Sequence, residues 1–363
     1  MHRKWVLLAL CTWPIWAETL EERVDRLEDR INAPQIRQNL FNPGLTAFGN
    51  FLTCIGCQKP FELREIELDI RASIDPWADG VAIIAFEPHG SHEAVHIEEG
   101  YALLKKLPGL DEAPWGLTLK MGKYLLPFGR FNQIHLHDLP QMTQPKPVQA
   151  FLGDHGFSRP GISAEFFIPT PGENNSLRLN LNILASNGLP FARIKNQTYP
   201  AGSARLAWFW DLAAEHDFEV GASAYLQGHP EFNLQPLQLY GADAYYKWRP
   251  YLQGEKRSFL IGSELFVANG VQGRNGYWPW GMFIWSQMQI NQWLYPGIRY
   301  SYLQGAQVDT PSHSVGAFLT YYTTEFLRLR AGYEWDNHQQ HKALLEINFI
   351  FGSHPVEPYW VNR

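Results

Sequence analysis

The sequence predicts an all-β protein: a transmembrane antiparallel β-barrel of about 16 strands, preceded by a short N-terminal coiled-coil helix. Two observations lead to this prediction. Stretches in which apolar and polar residues strictly alternate recur from residue 42 onward, and such alternation is typical of a strand with one apolar face. The segments between these stretches are alternately short and long, which is the arrangement of outer-membrane barrels and not of a two-sheet sandwich.

Residues 1–17, MHRKWVLLALCTWPIWA, have the features of a secretory signal peptide. Arg3 and Lys4 precede an apolar run, and Ala17 stands before a polar break, so cleavage is expected after Ala17. The mature chain is therefore expected outside the cytoplasm.

Residues 18–41 predict a periplasmic coiled-coil segment and linker. Leu20, Val24, Leu27 and Ile31 follow one another at spacings of four, three and four residues, which makes a heptad seam. The seam is shorter than two full heptads, so a solvated single helix is the alternative. We favour a short coiled coil that helps to assemble identical subunits into a homotrimer.

Residues 42–363 are assigned to an outer-membrane β-barrel. In residues 176–183, Leu177, Leu179 and Leu181 lie on one face of a strand, and Arg178 and Asn180 lie on the other. In a closed barrel the apolar face meets lipid and the polar face lines a wet interior, and no strand edge is left unpaired in the bilayer. The predicted strands begin near Thr46, Leu63, Gly80, Ala94, Gly116, Arg159, Asn175, Ala204, Phe218, Leu237, Arg257, Tyr277, Trp293, Ser314, Leu327 and Lys342.

The connections fall into two classes. Short turns are expected at residues 75–79, 169–175, 211–217, 291–292 and 323–325, and long loops at residues 87–93, 130–157, 187–200, 227–236 and 305–313. The stretch 130–157 is long enough to fold into the barrel and narrow it, and a surface loop is the alternative.

Strand alternation assigns a set of charged side chains to the barrel interior. The predicted pore-lining residues are Glu67, Asp69, Arg71, Glu98, Lys120, Arg178, Arg205, Arg299, Arg328, Arg330 and Glu334. Positive and negative charges are nearly balanced, so the lining lacks the cationic ladder that a phosphate-selective channel needs. The charges either set a field for passing ions or only pair with one another in a hydrated lumen. Glu98 and Glu99 are adjacent and break the alternation, which a β-bulge would resolve.

Histidines concentrate at the end of the barrel that carries the long loops. The candidate metal ligands are His89, His92, His135, His137, Asp138 and His155. Imidazole is the commonest metal ligand, and His135 and His137 would share one face of an extended segment, which suits zinc or copper at extracellular loops. No spacing matches a defined metal motif, and polar loops tolerate histidine, so ordinary loop histidines are the alternative.

Two cysteines, Cys54 and Cys57, follow the signal peptide. Outside the cytoplasm such a close pair is usually oxidised, so the sequence predicts a disulfide between them.

Other classes of function have little support in the sequence. The formal net charge is -6, and no basic stripe suited to nucleic acid is present. A Gly-rich phosphate loop, a His-Glu-x-x-His motif and a nucleophile elbow are all absent from the sequence, so we expect no enzymatic activity.

Part of the chain resembles a known family. Gly122-Lys123-Tyr124 followed by Pro127-Phe128-Gly129 resembles the end of the fifth strand in outer-membrane porins of the phosphate-selective-porin-like superfamily. HLHDLP at 135–140 is similar to a paired-histidine stretch in a branch whose members are labelled metal- or zinc-regulated outer-membrane receptors. The resemblance covers about residues 40–170 and the C-terminal strand, and it implies a many-stranded barrel in the outer membrane of a Gram-negative bacterium.

These observations predict a porin, without a cofactor, through which small hydrophilic solutes or ions diffuse passively. Its partners would be outer-membrane lipid and two further copies of the chain. The alternative is a surface receptor or channel that captures zinc or copper on histidine-bearing extracellular loops. A barrel that only anchors adhesive loops would show neither conductance nor metal binding.

Overall fold

The computed structural model describes residues 43–89, 92–107, 115–193, 197–228, 236–250, 256–269, 278–306, 310–338 and 340–352. The predicted signal peptide and coiled-coil segment lie outside these residues. No helix in the described part of the chain is long and apolar enough to cross a membrane.

Sixteen strands of the described chain close into one antiparallel barrel. They are β1 (Gly44–Ile55), β2 (Phe61–Asp75), β3 (Ala78–His89), β4 (His92–Leu104), β5 (Thr118–Leu125), β6 (Ser158–Ile168), β7 (Asn175–Ser186), β8 (Tyr199–Ala213), β9 (His216–Gln227), β10 (Leu237–Trp248), β11 (Ser258–Asn269), β12 (Trp280–Gln289), β13 (Leu294–Gln304), β14 (Ser312–Thr324), β15 (Leu327–Asp336) and β16 (His341–Gly352). Each strand pairs with its neighbours in chain order, and pairing of β1 with β16 closes the sheet. The prediction of a closed antiparallel barrel of 16 strands is confirmed.

The two faces of the sheet have the polarity of a membrane barrel. On β7, Leu181 and Ile183 are 44% and 72% exposed on the outer face, whereas Asn180 and Asn182 on the inner face are buried. A wide apolar outer surface is unfavourable in water but suits contact with lipid. The apolar side chains of the alternating pattern therefore point outward.

The connections follow the predicted alternation only in part. Turns 76–77, 214–215 and 325–326 are tight, but 105–117 and 249–257 at the same end are longer. The prediction of a long loop at 87–93 is wrong, because the backbone pairing of β3 with β4 continues as far as His89 and His92.

The predicted irregularity at Glu98 and Glu99 is a β-bulge in β4. Ile83 of β3 pairs with Glu99, and Ile84 pairs with Ile97, so Glu98 is the extra residue. A bulge lets two successive side chains turn toward the same side of a sheet. Both carboxylates consequently reach the ring of His135 inside the barrel.

The segment between β5 and β6, residues 126–157, folds into the barrel and is called the constriction loop below. It contains two 3-10 turns, Phe131–Gln133 and Leu136–Asp138, and one helix, α1 (Lys146–Leu152). Its apolar side chains pack against inward aromatic residues of the wall, with ring centroids 5.1 Å apart for Phe131 and Phe283. The main hydrophobic core of the described chain therefore lies inside the barrel, between this loop and inward side chains of β7 to β14.

Candidate functional site: the constriction loop and the inner wall

Asn132 fastens the two ends of the constriction loop together. Its amide nitrogen donates to the carbonyl oxygens of Leu126 (2.8 Å) and Phe157 (3.2 Å), and its Oδ1 accepts from the N–H of Phe157 (2.8 Å). The N–H of Leu126 also donates to the carbonyl oxygen of Phe157 at 2.9 Å. Because these groups are buried, the clamp satisfies backbone atoms that would otherwise lack partners.

Glu264 of β11 holds the first part of the loop. Its Oε1 accepts from the N–H groups of Arg130 (2.8 Å) and Phe131 (2.7 Å). The preceding Gly129 has φ +62°, and a Cβ there would lie 2.4 Å from an oxygen of Glu264. A glycine is therefore required where the backbone approaches this carboxylate.

Arginines of the far wall hold the middle of the loop by its carbonyl oxygens. Arg328 donates to the carbonyl of His137, Arg330 to that of Leu139 (2.6 Å), and Arg299 to that of Thr143. All three guanidinium groups are buried. These predicted pore-lining residues point inward, but the loop covers them, so they position the loop instead of facing open water.

Two other predicted lining residues belong to buried ion pairs. Arg205 lies between Glu219 (3.1 Å) and Asp243 (2.7 Å), and Glu334 accepts from Arg299 at 2.6 Å. Such paired and covered charges contribute little to the field that a solute meets.

The charges that remain open lie on strands near the start of the barrel. The side chains of Arg71 on β2 and Arg178 on β7 are 46% and 40% exposed, and Lys120 on β5 is partly buried with its Nζ 4.4 Å from the ring centre of Tyr101. Asp69 pairs with Arg71 at 2.7 Å. Arg178 lies 3.9 Å from Glu165, whose side chain is 36% exposed, so this part of the wall carries solvent-accessible charges of both signs.

Carboxylates of β2 and β4 surround the two histidines of the constriction loop. His135 Nδ1 lies 2.9 Å from Glu98, and its Nε2 lies 2.9 Å from Glu99. His137 Nδ1 lies 3.5 Å from Glu65 and 3.4 Å from Glu67. The cluster is almost entirely shielded from solvent.

The charge of these histidines depends on the same carboxylates. Burial opposes protonation, but the attraction of nearby carboxylates, chiefly that of Glu67, raises the pKa of His135 and the pKa of His137 well above the ordinary value. The carboxylates therefore favour the protonated form of both imidazoles.

The structure brings three of the predicted metal ligands together: the rings of His135 and His137 stack with centroids 5.7 Å apart, and Asp138 lies beside His137. His135 and His137 are not at the extracellular surface, because the loop that carries them folds into the lumen. His155 is 41% exposed and lies 3.2 Å from Glu87, whereas His89 and His92 pair at the ends of β3 and β4.

Asp138 Oδ2 is 3.6 Å from His137 Nε2. Cys54 and Cys57 are joined by a disulfide at the end of β1.

Sequence reasoning missed several residues of this site. Strand alternation places Glu65 and Glu264 on the inner face, but no sequence signal indicates that they meet the loop. Nothing in the local sequence distinguishes Asn132 from an ordinary polar loop residue.

Comparisons with known proteins bear on the fold. No protein-family model matches the chain. An uncharacterized protein of Aquifex aeolicus (strain VF5) is 32% identical over 114 residues, which are 31% of this chain and only 22% of that relative.

Two solved structures share the architecture. OmpF of Salmonella typhi, in complex with daunomycin, has a TM-score of 0.56, and the outer membrane channel DcaP of Acinetobacter baumannii has a TM-score of 0.51. Each match covers 85% of this chain, and 97% and 96% of the respective structures, at 10% identity. The chain has the fold of an outer-membrane β-barrel. Its resemblance to the phosphate-selective-porin-like superfamily and to the metal-regulated branch stays a prediction.

Proposed function

We propose that this chain is a passive channel for small hydrophilic solutes or ions in the outer membrane of a Gram-negative bacterium. The observation that supports this function best is the constriction loop, which crosses a lipid-facing barrel of 16 strands and narrows its polar interior. A barrel that served only as an anchor would have no need of a lumen with exposed charges. DcaP, which shares the fold, is a channel.

In this proposal solutes pass beside the loop, along the parts of β2, β5 and β7 that the loop leaves uncovered. Arg71, Lys120 and Arg178 keep contact with solvent there, together with Glu165, whose side chain is 36% exposed. The width left beside the loop would set the size limit, and these charges would set the preference between anions and cations.

Single-channel conductance of the refolded chain in a planar bilayer tests the proposal. Steady openings that appear in steps of three would support a trimeric channel, and the reversal potential in a salt gradient would give its selectivity. A protein that shows no conductance would contradict the proposal, provided that unheated gel migration and circular dichroism show a folded barrel.

Transition-metal capture at extracellular loops stays a separate prediction. His135 and His137 cannot contribute to such a surface site in this fold, because the loop buries them in the lumen.

A further inference from the structure

Glu65 and Glu67 of β2 converge with His137 of the constriction loop inside the barrel. We propose that these three side chains bind one divalent transition-metal ion with the coordination preferences of zinc. The ion ties the loop to the wall of the barrel.

One ligand atom from each of the three side chains lies within 4.8 Å of the other two, and the two distances to His137 suit ligands of one ion. His137 Nδ1 lies 3.5 Å from Glu65 Oε1 and 3.4 Å from Glu67 Oε2. Charge-assisted hydrogen bonds between nitrogen and a carboxylate are shorter, about 2.7–2.9 Å. Ligands that stand about 2.1 Å from a tetrahedral zinc ion lie about 3.4 Å from one another. A proton on His137 leaves the contacts too long, whereas a metal ion fits between these atoms.

The same atoms lack hydrogen-bond partners in the described part of the chain. They are both carboxylate oxygens of Glu65, Oε2 of Glu67 and Nδ1 of His137. All three side chains are at most 3% exposed. Buried polar atoms are nearly always satisfied by hydrogen bonds, and the contacts of 3.4–3.5 Å among these atoms are longer than such bonds. A bound cation supplies the missing partner to all three side chains at once.

Satisfied hydrogen bonds exclude the neighbouring histidine from the ligand set. His135 Nδ1 lies 3.5 Å from Glu67 Oε2, but His135 forms shorter bonds of 2.9 Å with Glu98 and with Glu99, so both of its ring nitrogens are already used. Glu98 and Glu99 also add negative charge beside the three proposed ligands. The surroundings therefore favour a cation, while the ligands themselves are Glu65, Glu67 and His137.

The ring of His137 is held in place from several sides. It stacks on Phe48 with ring centroids 4.1 Å apart, and its backbone carbonyl accepts from Arg328 and from Asn348, the latter at 2.8 Å. Asp138 lies on the side of the other ring nitrogen. Orientation of a ligating histidine by packing and by an outer carboxylate is usual in metal sites.

Further carboxylate and imidazole side chains lie between the proposed site and solvent. Glu65 also lies within 4.8 Å of a group formed by Glu87, Glu98 and His155. His155 is the exposed member of this group. An ion arriving from the long-loop end would meet His155 before it reached Glu65.

Zinc binding by the purified, folded full chain in detergent tests the inference. After removal of metals with a chelator, a titration in competition with a zinc dye gives the affinity, and elemental analysis gives the stoichiometry. We expect one zinc ion per chain. Glu67→Gln and His137→Gln should each weaken binding by at least about 100-fold, since each removes a direct ligand. Matched substitutions away from the site, Glu165→Gln and His216→Gln, should leave the affinity unchanged.

Three results would overturn the inference: no binding of micromolar zinc by the wild-type chain, full binding by Glu67→Gln, or loss of binding only in His155→Gln. Unheated gel migration shows which variants are folded. If the ligand variants do not fold, X-ray absorption of the zinc-loaded wild-type chain decides, because one imidazole nitrogen with carboxylate oxygens is expected in the first shell. A first shell with two or more imidazoles would contradict the assignment.

The test is independent of the proposed channel. A silent barrel that binds one zinc ion at this site supports the metal inference and contradicts only the channel. A conducting barrel that binds no zinc does the reverse.

Discussion

Glu264 offers the sharpest test of how the constriction loop is held. This buried carboxylate of β11 accepts the backbone N–H groups of Arg130 and Phe131, and also the hydroxyl of Tyr245 at 2.6 Å. Glu264→Ala removes all three bonds and leaves two loop amides buried without partners. We expect the first part of the loop to detach from the wall while the barrel stays closed.

The expected loss of free energy of the closed loop follows from the hydrogen bonds that Glu264→Ala removes. A buried amide left without its acceptor costs about 1–3 kcal/mol, so the two loop amides together account for about 2–6 kcal/mol. Burying the carboxyl group has a cost of its own, so a value in the lower part of this range is the better guide. About 3 kcal/mol corresponds to a roughly 100-fold larger population of the open loop.

Hydrogen–deuterium exchange of the peptide that covers residues 126–133 measures this population. Exchange should accelerate by about 100-fold in Glu264→Ala if the loop opens locally. Glu264→Gln keeps an acceptor oxygen and should give a smaller change, and Glu165→Ala on the opposite wall serves as the control. Unchanged protection in Glu264→Ala would refute the anchoring role, and single-channel noise should rise only if protection falls.

Other substitutions test separate parts of the molecule. Lys120→Glu or Arg178→Glu reverses an open charge on the inner wall, so the reversal potential in a potassium chloride gradient should shift toward cation selectivity; an unchanged potential would show that ions do not pass this wall. Leu181→Arg places a charge on the lipid face and should lower the free energy of unfolding in lipid vesicles by about 2–4 kcal/mol, as read from urea titration. Asn180→Ser on the inner face should lower the free energy of unfolding by less than Leu181→Arg does. Equal decreases in the two variants would contradict the outward orientation of Leu181. Asn132→Ala should destabilise the closed loop by about 1–3 kcal/mol per unpaired group, seen as faster exchange of the loop-closing amides, and unchanged exchange would rule out the clamp.

Strand alternation predicted the barrel because the membrane imposes the same local rule on every strand. The apolar residues of β7 had to face lipid, and the pair Glu98 and Glu99 had to be accommodated by a bulge. Both predictions depend on neighbours within a few residues. The exposure of Leu181 and Ile183 confirms the outward face of β7, and the register of β3 and β4 confirms the bulge. The loop expected at 87–93 failed for a related reason: its His, Pro and Gly content indicated a loop, but pairing with the neighbouring strand extended the ladder.

The contents of the lumen could not be predicted in this way. Glu264 meets Arg130 across 134 positions of the chain, and Arg328 meets His137 across 191. Alternation tells which face of a strand a side chain occupies, but not which distant segment covers it. The sequence could indicate that 130–157 was long enough to enter the barrel, whereas its anchors follow only from the three-dimensional arrangement.

Because the constriction loop covers part of the inner wall, it changes which charged side chains contribute to the electrostatic field in the lumen. Arg299, Arg328 and Arg330 were predicted to line the pore, yet each donates to a carbonyl of the loop and is buried. Their positive charge therefore stabilises the loop and is largely hidden from solutes. The effective field should come from the parts of the wall that the loop leaves open, where Arg71 on β2 and Arg178 on β7 stay exposed. Equal numbers of positive and negative inward residues are therefore compatible with a preference for anions or for cations. The charges on the strands that the loop leaves uncovered should decide that preference.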